Sequence, residues 1–237
     1  MTVVFFDVAG TLVRVREGVG VQYARVARRF GVDADPRALE RAFPAAFRAA
    51  PPMAFPDAPA EAVPARERAV WREVVDAVFA AAGVRDAFPA GAFDAYFDAV
   101  YQHFADAAAW EAFPDVRPAL RALRARGCAL GIVSNFDSRV LPVLDGLGLR
   151  ACFASVTLSS RAGATKPDPR IFAHALAAHG VPASAALHVG DSPGEDYDGA
   201  RAAGLGAVLV DRTGRHADRH DLRRVASLVE VPGLLPP

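Results

Sequence analysis

Five short, predominantly apolar runs constrain this chain more than any other feature: residues 3–6, 129–133, 156–158, 187–189 and 207–210. Three are wholly apolar and two carry a single polar residue, Thr157 or His188, between apolar neighbours; together they read as buried strands of a parallel sheet covered by helices. The last four alternate with helical patterns about as long as a crossover needs, which predicts repeated βα units. Residues 115–126 carry Val116, Leu120 and Leu123 on one face and stop at Gly127. Asp168-Pro169 sets an N-cap before proline at the first helical position, ahead of Ile171, Phe172, Ala175 and Leu176. A further helix is expected from Asp196 to Ala203, ending at Gly204.

Between the first two runs, residues 14–113 follow another pattern, with no convincing strand and at least four helical stretches. Val19, Tyr23, Val26, Ala27 and Phe30 share one face, and Asp35-Pro36 opens a helix with Leu39, Phe43 and Phe47 four apart. A third stripe includes Val70, Trp71, Val74, Val75, Val78 and Phe79, stopping near Gly83; a fourth runs from Phe93 to Phe104. These aromatics read as the core of a small helical bundle. Five prolines exclude a continuous helix over 50–64, which is expected to be a stiff connector or else a substrate-facing loop. The expected architecture is therefore α/β: a parallel-sheet core from 1–13 and 114–237, with an all-helical domain, 14–113, inserted after the first strand.

Lys+Arg and Asp+Glu both number 27, so no basic excess argues for a nucleic-acid partner. The apolar runs fall far short of a membrane span and no secretory leader pattern is present, so a soluble cytoplasmic protein is expected. Cys128 and Cys152 match no zinc spacing and are expected to be buried thiols rather than a disulfide. Lys166 is the only lysine among the 27 basic residues. A chain that otherwise uses arginine throughout needs a compact ammonium there, which a planar guanidinium does not replace.

In open α/β sheets, ligands gather at the carboxyl ends of the strands. The first run ends Asp7-Val8-Ala9-Gly10-Thr11, a carboxylate on a tight turn where Gly10 permits close approach of a ligand. The second ends in Ser134-Asn135, both able to donate to an anionic oxygen. Lys166 follows the third on a rigid Lys-Pro-Asp-Pro mount. The fourth leads into Gly190-Asp191 and Asp196, two acids five apart that suit a hard cation such as Mg²⁺. A nucleophile, hydrogen-bond donors, a cation and metal-binding acids together are the parts phosphoryl chemistry needs.

This order resembles the haloacid dehalogenase (HAD) superfamily, whose pattern is Asp-x-Asp-x-Thr, then Ser or Thr, then Lys, then Gly-Asp-x-x-x-x-Asp. The resemblance covers essentially the whole chain, and the insert looks like the C1-type helical cap of subfamily IA. It implies a Rossmannoid core and a hydrolase acting on a small phosphorylated molecule through an aspartyl phosphate on Asp7. Thr11, Ser134 and Lys166 would hold the phosphoryl oxygens and Asn135 would orient the loop or substrate. Mg²⁺ would be held by Asp7, the carbonyl of Ala9 and Asp191, with Asp196 in support. Ala9 departs from the pattern, because phosphatases of the family carry there an aspartate that protonates the leaving group and then activates water. General acid–base catalysis is worth about 10²–10⁴-fold, so slow turnover or good leaving groups are expected.

Two other readings remain open. A 2-haloacid dehalogenase would need an arginine clamp for the substrate carboxylate, for which Arg37 and Arg41 are the candidates. A catalytically weak phosphate-binding or regulatory protein would keep the pocket and use the insert for a partner. The Schiff-base chemistry of phosphonoacetaldehyde hydrolases is excluded, since it needs a cap lysine and residues 14–113 have none. No histidine sits at metal-ligand spacing; His188 reads as a satisfied core residue, His216 and His220 as part of an exposed Arg-rich stretch. Trp71 and Trp110 are expected to anchor the insert and its junction with the core.

Overall fold

All five apolar runs are strands in the computed structural model, which describes residues 2–235. They are β1 (Val3–Phe6), β4 (Ala129–Ser134), β5 (Ser155–Leu158), β6 (Ala186–Gly190) and β7 (Gly206–Val210). A sixth strand, β8 (Arg224–Val225), completes a sheet of order β5-β4-β1-β6-β7-β8. Every pairing in it is parallel. The expected Arg-rich exposed stretch, 212–224, thus runs at its last residue into a strand, hidden because only Val225 of its two residues is buried.

The chain builds outward from β1 through β4 to β5, then returns to β6 and continues the other way. That reversal opens a crevice at the carboxyl ends of β1, β4 and β6. Register aligns Phe6 with Ile132 on one side and Val189 on the other, so the residues that follow each strand emerge along one edge. Both faces of β1 are covered, Val4 and Phe6 by one apolar cluster and Val3 and Phe5 by the other. This double burial is why its sequence shows no alternation. The covering helices are α5 (Val116–Ala125), α6 (Val140–Gly146), α7 (Ser159–Ala162), α8 (Pro169–His179) and α9 (Gly199–Ala202). The helix expected from 196 is instead a π-helical turn, Pro193–Asp198, running into α9.

Residues between β1 and β4 form four long helices: α1 (Val19–Arg28), α2 (Pro36–Ala49), α3 (Val63–Ala81) and α4 (Ala92–His103). Asp35 caps α2 by accepting from the Arg37 amide at 2.9 Å, as its position before proline predicts. Tyr23, Phe79, Phe93, Phe97 and Tyr96 are buried where these helices meet. The proline-rich connector is irregular up to a 3₁₀ turn at Ala60–Ala62, and α3 begins within the expected connector, with Pro64 in its first turn.

The expectation that 14–113 holds no strand is wrong at its two ends. β2 (Val13–Val15) and β3 (Trp110–Ala112) pair antiparallel, Val13 opposite Ala112 and Val15 opposite Trp110. Three-residue strands are too short for periodicity to reveal, yet this ladder ties the two connections to the helical insert side by side. Cys128 and Cys152 are both free thiols, but half-buried rather than buried. No helix among the described residues is long and apolar enough to cross a membrane.

Candidate active site

The strand ends bring the expected residues into one place. Asp7 leaves β1 with its amide held by the Val189 carbonyl at 2.9 Å, which fixes the carboxylate over the crevice. Its Oδ1 accepts from Ser134 Oγ at 2.9 Å and from Lys166 Nζ at 2.6 Å. Lys166 also donates to Asp196 Oδ1 at 2.6 Å and is only 3% exposed, so the one lysine is buried between two carboxylates. Asn135 clamps the lysine backbone, accepting from its amide at 2.7 Å and donating to its carbonyl at 3.0 Å. The Asn135 amide also reaches Glu195 Oε2 at 3.1 Å. Thr11 is fully buried and donates to Asp191 Oδ1 at 3.2 Å, so its hydroxyl hydrogen is committed to positioning Asp191.

Two glycines make this crowding feasible. Gly10 sits at φ +89°, and a Cβ there would lie 2.4 Å from the nearest Asp191 carboxylate oxygen. A Cβ on Gly190 would lie 2.1 Å from the Asp196 carboxyl carbon. Each side chain would displace an acid of the site.

Asp7, Asp191 and Asp196 place ligand oxygens within 4.8 Å of one another. Three carboxylates against one ammonium leave a formal charge of −2, and the donors are hard oxygens. This set fits a hard divalent cation. The electrostatics agree. Burial pushes the Asp191 carboxyl up to about 7, and repulsion from Asp7 and Asp196 adds to it. Burial likewise raises Asp7, against the pull of Lys166. Burial works against ionised Asp196 too, but Lys166 and the hydrogen bond from His188 hold it well below the usual carboxylate range. Lys166 stays protonated above the ordinary lysine range because Asp196 and Asp7 outweigh its desolvation. Both Asp196 oxygens are engaged: Oδ1 by Lys166 and His188 Nε2 (2.8 Å), Oδ2 by the Ser192 amide (2.9 Å). That arrangement makes Asp196 a buttress for Lys166 and the loop.

His188 was expected to be a satisfied core residue. Its Nε2 instead serves the site through Asp196, while its Nδ1 is buried without a partner. A histidine two residues before the Gly-Asp pair on a fully buried strand was the available signal, since alternation turns it to the same face as Gly190.

A cavity of about 530 Å³ opens above Asp7, floored by the strand ends and walled by the helical insert. Its wall includes Tyr23, Phe43, Phe47, Trp71, Phe97 and Tyr101. Insert and core are bonded at its rim. Trp71 Nε1 donates to Asp137 Oδ2 at 2.5 Å, and buried Glu67 accepts from the Ser138 amide and hydroxyl at 3.0 and 2.8 Å. Asp137 also holds Arg139, whose guanidinium lies 3.9 Å from the Tyr101 ring centroid. Trp71 therefore joins insert to core, while Trp110 donates within the insert junction to the Phe104 carbonyl at 3.0 Å. Arg37 and Arg41 are exposed and line no part of this cavity.

A carboxylate just after the first strand of a parallel sheet, a buried lysine and paired acids across the crevice, and helices inserted after that strand are the arrangement of a HAD-type hydrolase. Residues 1–204 match the haloacid dehalogenase-like hydrolase family, and the chain belongs to it. It is 41% identical over 206 residues to the haloacid dehalogenase-like hydrolase domain-containing protein 3 of Homo sapiens, covering 86% of this chain and 80% of that protein. It is 42% identical over 123 residues to the phosphoserine phosphatase of Thermus thermophilus, covering 50% of this chain and 49% of that enzyme. The structure of a defluorinating L-2-haloacid dehalogenase superposes with a TM-score of 0.74 at 20% identity, covering 99% of this chain and 95% of that one, which is a likeness of fold.

Proposed function

We propose that this hydrolase is a Mg²⁺-dependent phosphatase of a small phosphorylated molecule, with Asp7 as nucleophile. In this reading 1–13 and 114–237 form the catalytic core and 14–113 the cap that shapes the substrate pocket. The observation that carries it is the cluster of Asp7, Asp191 and Asp196, whose carboxylate oxygens lie within 4.8 Å of one another beside a lysine paired with Asp7 and Asp196. A dehalogenase needs no metal but needs a carboxylate clamp; neither Arg37 nor Arg41 reaches the cavity, and the arginines that do, Arg14 and Arg139, are paired with Glu111 and Asp137.

Asp7, the Ala9 carbonyl and Asp191 are the groups to hold Mg²⁺, which when bound neutralises charge on the phosphoryl oxygens. Ser134 and Lys166 already donate to Asp7 and so face any phosphoryl group placed against it. Asp7 attacks phosphorus, the leaving oxygen departs, and water then hydrolyses the aspartyl phosphate. Thr11 orients Asp191, Asn135 fixes Lys166, and Gly10 keeps the approach clear. Ala9 supplies no proton to the leaving group.

The test is phosphate release from acetyl phosphate and p-nitrophenyl phosphate, with Mg²⁺ and with EDTA, for wild type, Asp7→Asn and Ala9→Asp. Turnover that requires Mg²⁺, vanishes in Asp7→Asn and rises in Ala9→Asp is the expected result. No release from wild type or Ala9→Asp overturns the reading. Halide release from a 2-haloacid would then identify a dehalogenase, and neither product would leave a binding protein.

A further inference from the structure

The floor of the cavity is charged, whereas its wall is aromatic. Phe43, Phe47 and Trp71 form an aromatic layer, Phe43 lying 16° from the plane of Phe47 and 14° from that of Trp71, with Phe47 and Trp71 tilted 30° from each other. The ring centroids of Phe47 and Trp71 are 5.6 Å apart. Phe47 remains 45% exposed, one of two large apolar side chains so exposed among the described residues, and it is exposed at the cavity. The charged side chains of the same wall each have a protein partner. Arg14 pairs with Glu111 at 2.6 Å, Arg139 with Asp137 at 2.7 Å, and Glu40 accepts from the Gly20 amide at 2.6 Å. A polyol would compete with those protein partners and face a mainly apolar wall, leaving many of its own hydroxyls poorly matched.

Ala9 points the same way independently. With no acid at that position, the leaving oxygen must depart as an anion that is stable without a proton. A phenol-type oxygen meets that demand and an alkoxide does not.

We infer that the site takes a phosphate monoester of a flat, apolar aryl alcohol, its ring against the Phe43–Phe47–Trp71 layer and its phosphoryl group on Asp7. This rests on the phosphatase reading above. The Asp7 oxygen forms a bond to phosphorus as the P–O(aryl) bond breaks, and the electron pair leaves with the aryloxide, which bulk water protonates. Water then attacks the aspartyl phosphate, releasing inorganic phosphate and restoring the Asp7 carboxylate, so the net change is ester plus water to phenol plus phosphate.

Phenyl and 2-naphthyl phosphate have leaving groups of closely similar acidity and differ in ring area, which separates stacking from leaving-group chemistry. The kcat/KM of the naphthyl ester should exceed that of the phenyl ester by about 3- to 10-fold, the range of one added aromatic contact. Phe47→Ala should bring that ratio close to one, and Val229→Ala, at the other exposed apolar side chain, should not. Glycerol 3-phosphate and glucose 6-phosphate should be poor substrates of wild type and gain more than the aryl esters in Ala9→Asp. Both tryptophans of the chain line the cavity, so benzylphosphonate binding should change intrinsic fluorescence without turnover. Polyol phosphates hydrolysed as well as aryl esters, or a ratio unmoved by Phe47→Ala, overturn the inference while the phosphatase reading stands. Benzylphosphonate binding with no ester hydrolysed sinks the phosphatase reading and keeps the ligand class. Neither binding nor hydrolysis removes both.

Discussion

Replacing Lys166 by methionine removes the charge at the centre of the site while keeping much of the volume. Lys166 Nζ lies 2.6 Å from both Asp7 and Asp196, and its loss leaves three carboxylates with oxygens within 4.8 Å and no cation among them. Removing one partner of a buried ion pair costs about 3–5 kcal/mol. At about 2–4 °C per kcal/mol for a chain of this size, the melting temperature should fall by roughly 6–20 °C. The deficit should depend on pH. The folded-state pKa of Asp191 is pushed up to about 7 from 3.8, so the stability tied to its protonated form is complete at low pH and is lost as pH rises through 7. Without the ammonium that repulsion grows, so the gap between variant and wild type should widen between about pH 5.5 and about pH 8. Mg²⁺ should narrow it again by supplying the missing positive charge. Differential scanning calorimetry in EDTA at both pH values, then with added Mg²⁺, measures all three effects. A deficit under about 1 kcal/mol at the higher pH, the size of a surface pair, would falsify the account of a buried charge centre. So would a deficit that does not change with pH.

Other perturbations test separate parts of the molecule. Mg²⁺ affinity, measured by titration calorimetry, should rise as pH passes through 7, because Asp191 must lose its proton to become a ligand; affinity flat across that range would contradict this. Gly10→Ala, strained at φ +89° and 2.4 Å from the Asp191 carboxylate, should weaken Mg²⁺ by at least about tenfold. Glu67→Ala strips the acceptor from the Ser138 amide and hydroxyl and should cost about 2–3 kcal/mol, with faster hydrogen exchange at residue 138. Asp115 accepts from Arg212, Ser227 and the Leu228 amide, each at 2.8 Å, and these partners hold its carboxyl below the ordinary range despite burial. Asp115→Asn should therefore lose about 2–3 kcal/mol at neutral pH, seen by urea unfolding. Its deficit should shrink as acid takes wild type down through the lowered pKa.

The residues that converge on Asp7 were readable because each is a polar side chain ending an apolar run, and parallel register brings such ends to one edge. What escaped the sequence are contacts that exist only after two elements dock. Trp71 with Asp137 and Glu67 with Ser138 join positions 66 and 71 residues apart, and no local pattern marks either pair. The short strands β2, β3 and β8 escaped for a different reason: two or three residues cannot display a period. His188 and Thr11 gain their roles from contacts that the sequence does not display. Their residue types suited the roles assigned, but their hydrogen-bond partners, Asp196 and Asp191, are fixed by the packed turn.

Position 9 can carry alanine without disturbing the fold. The turn after β1 is held by main-chain bonds: Gly10 N to Val13 O at 2.8 Å, Leu12 N to Val8 O at 2.8 Å and Val13 N to Val8 O at 3.0 Å. None of these needs a side chain at residue 9, which itself lines the cavity. The turn geometry and the Ala9 carbonyl therefore survive the replacement, and with them the groups proposed to hold the metal. In the proposed mechanism only proton transfer is lost, which would separate the binding half of the site from the acid–base half. The same independence makes Ala9→Asp a clean experiment, since the added carboxyl enters an existing cavity and any gain in rate reports on chemistry rather than on a repaired fold.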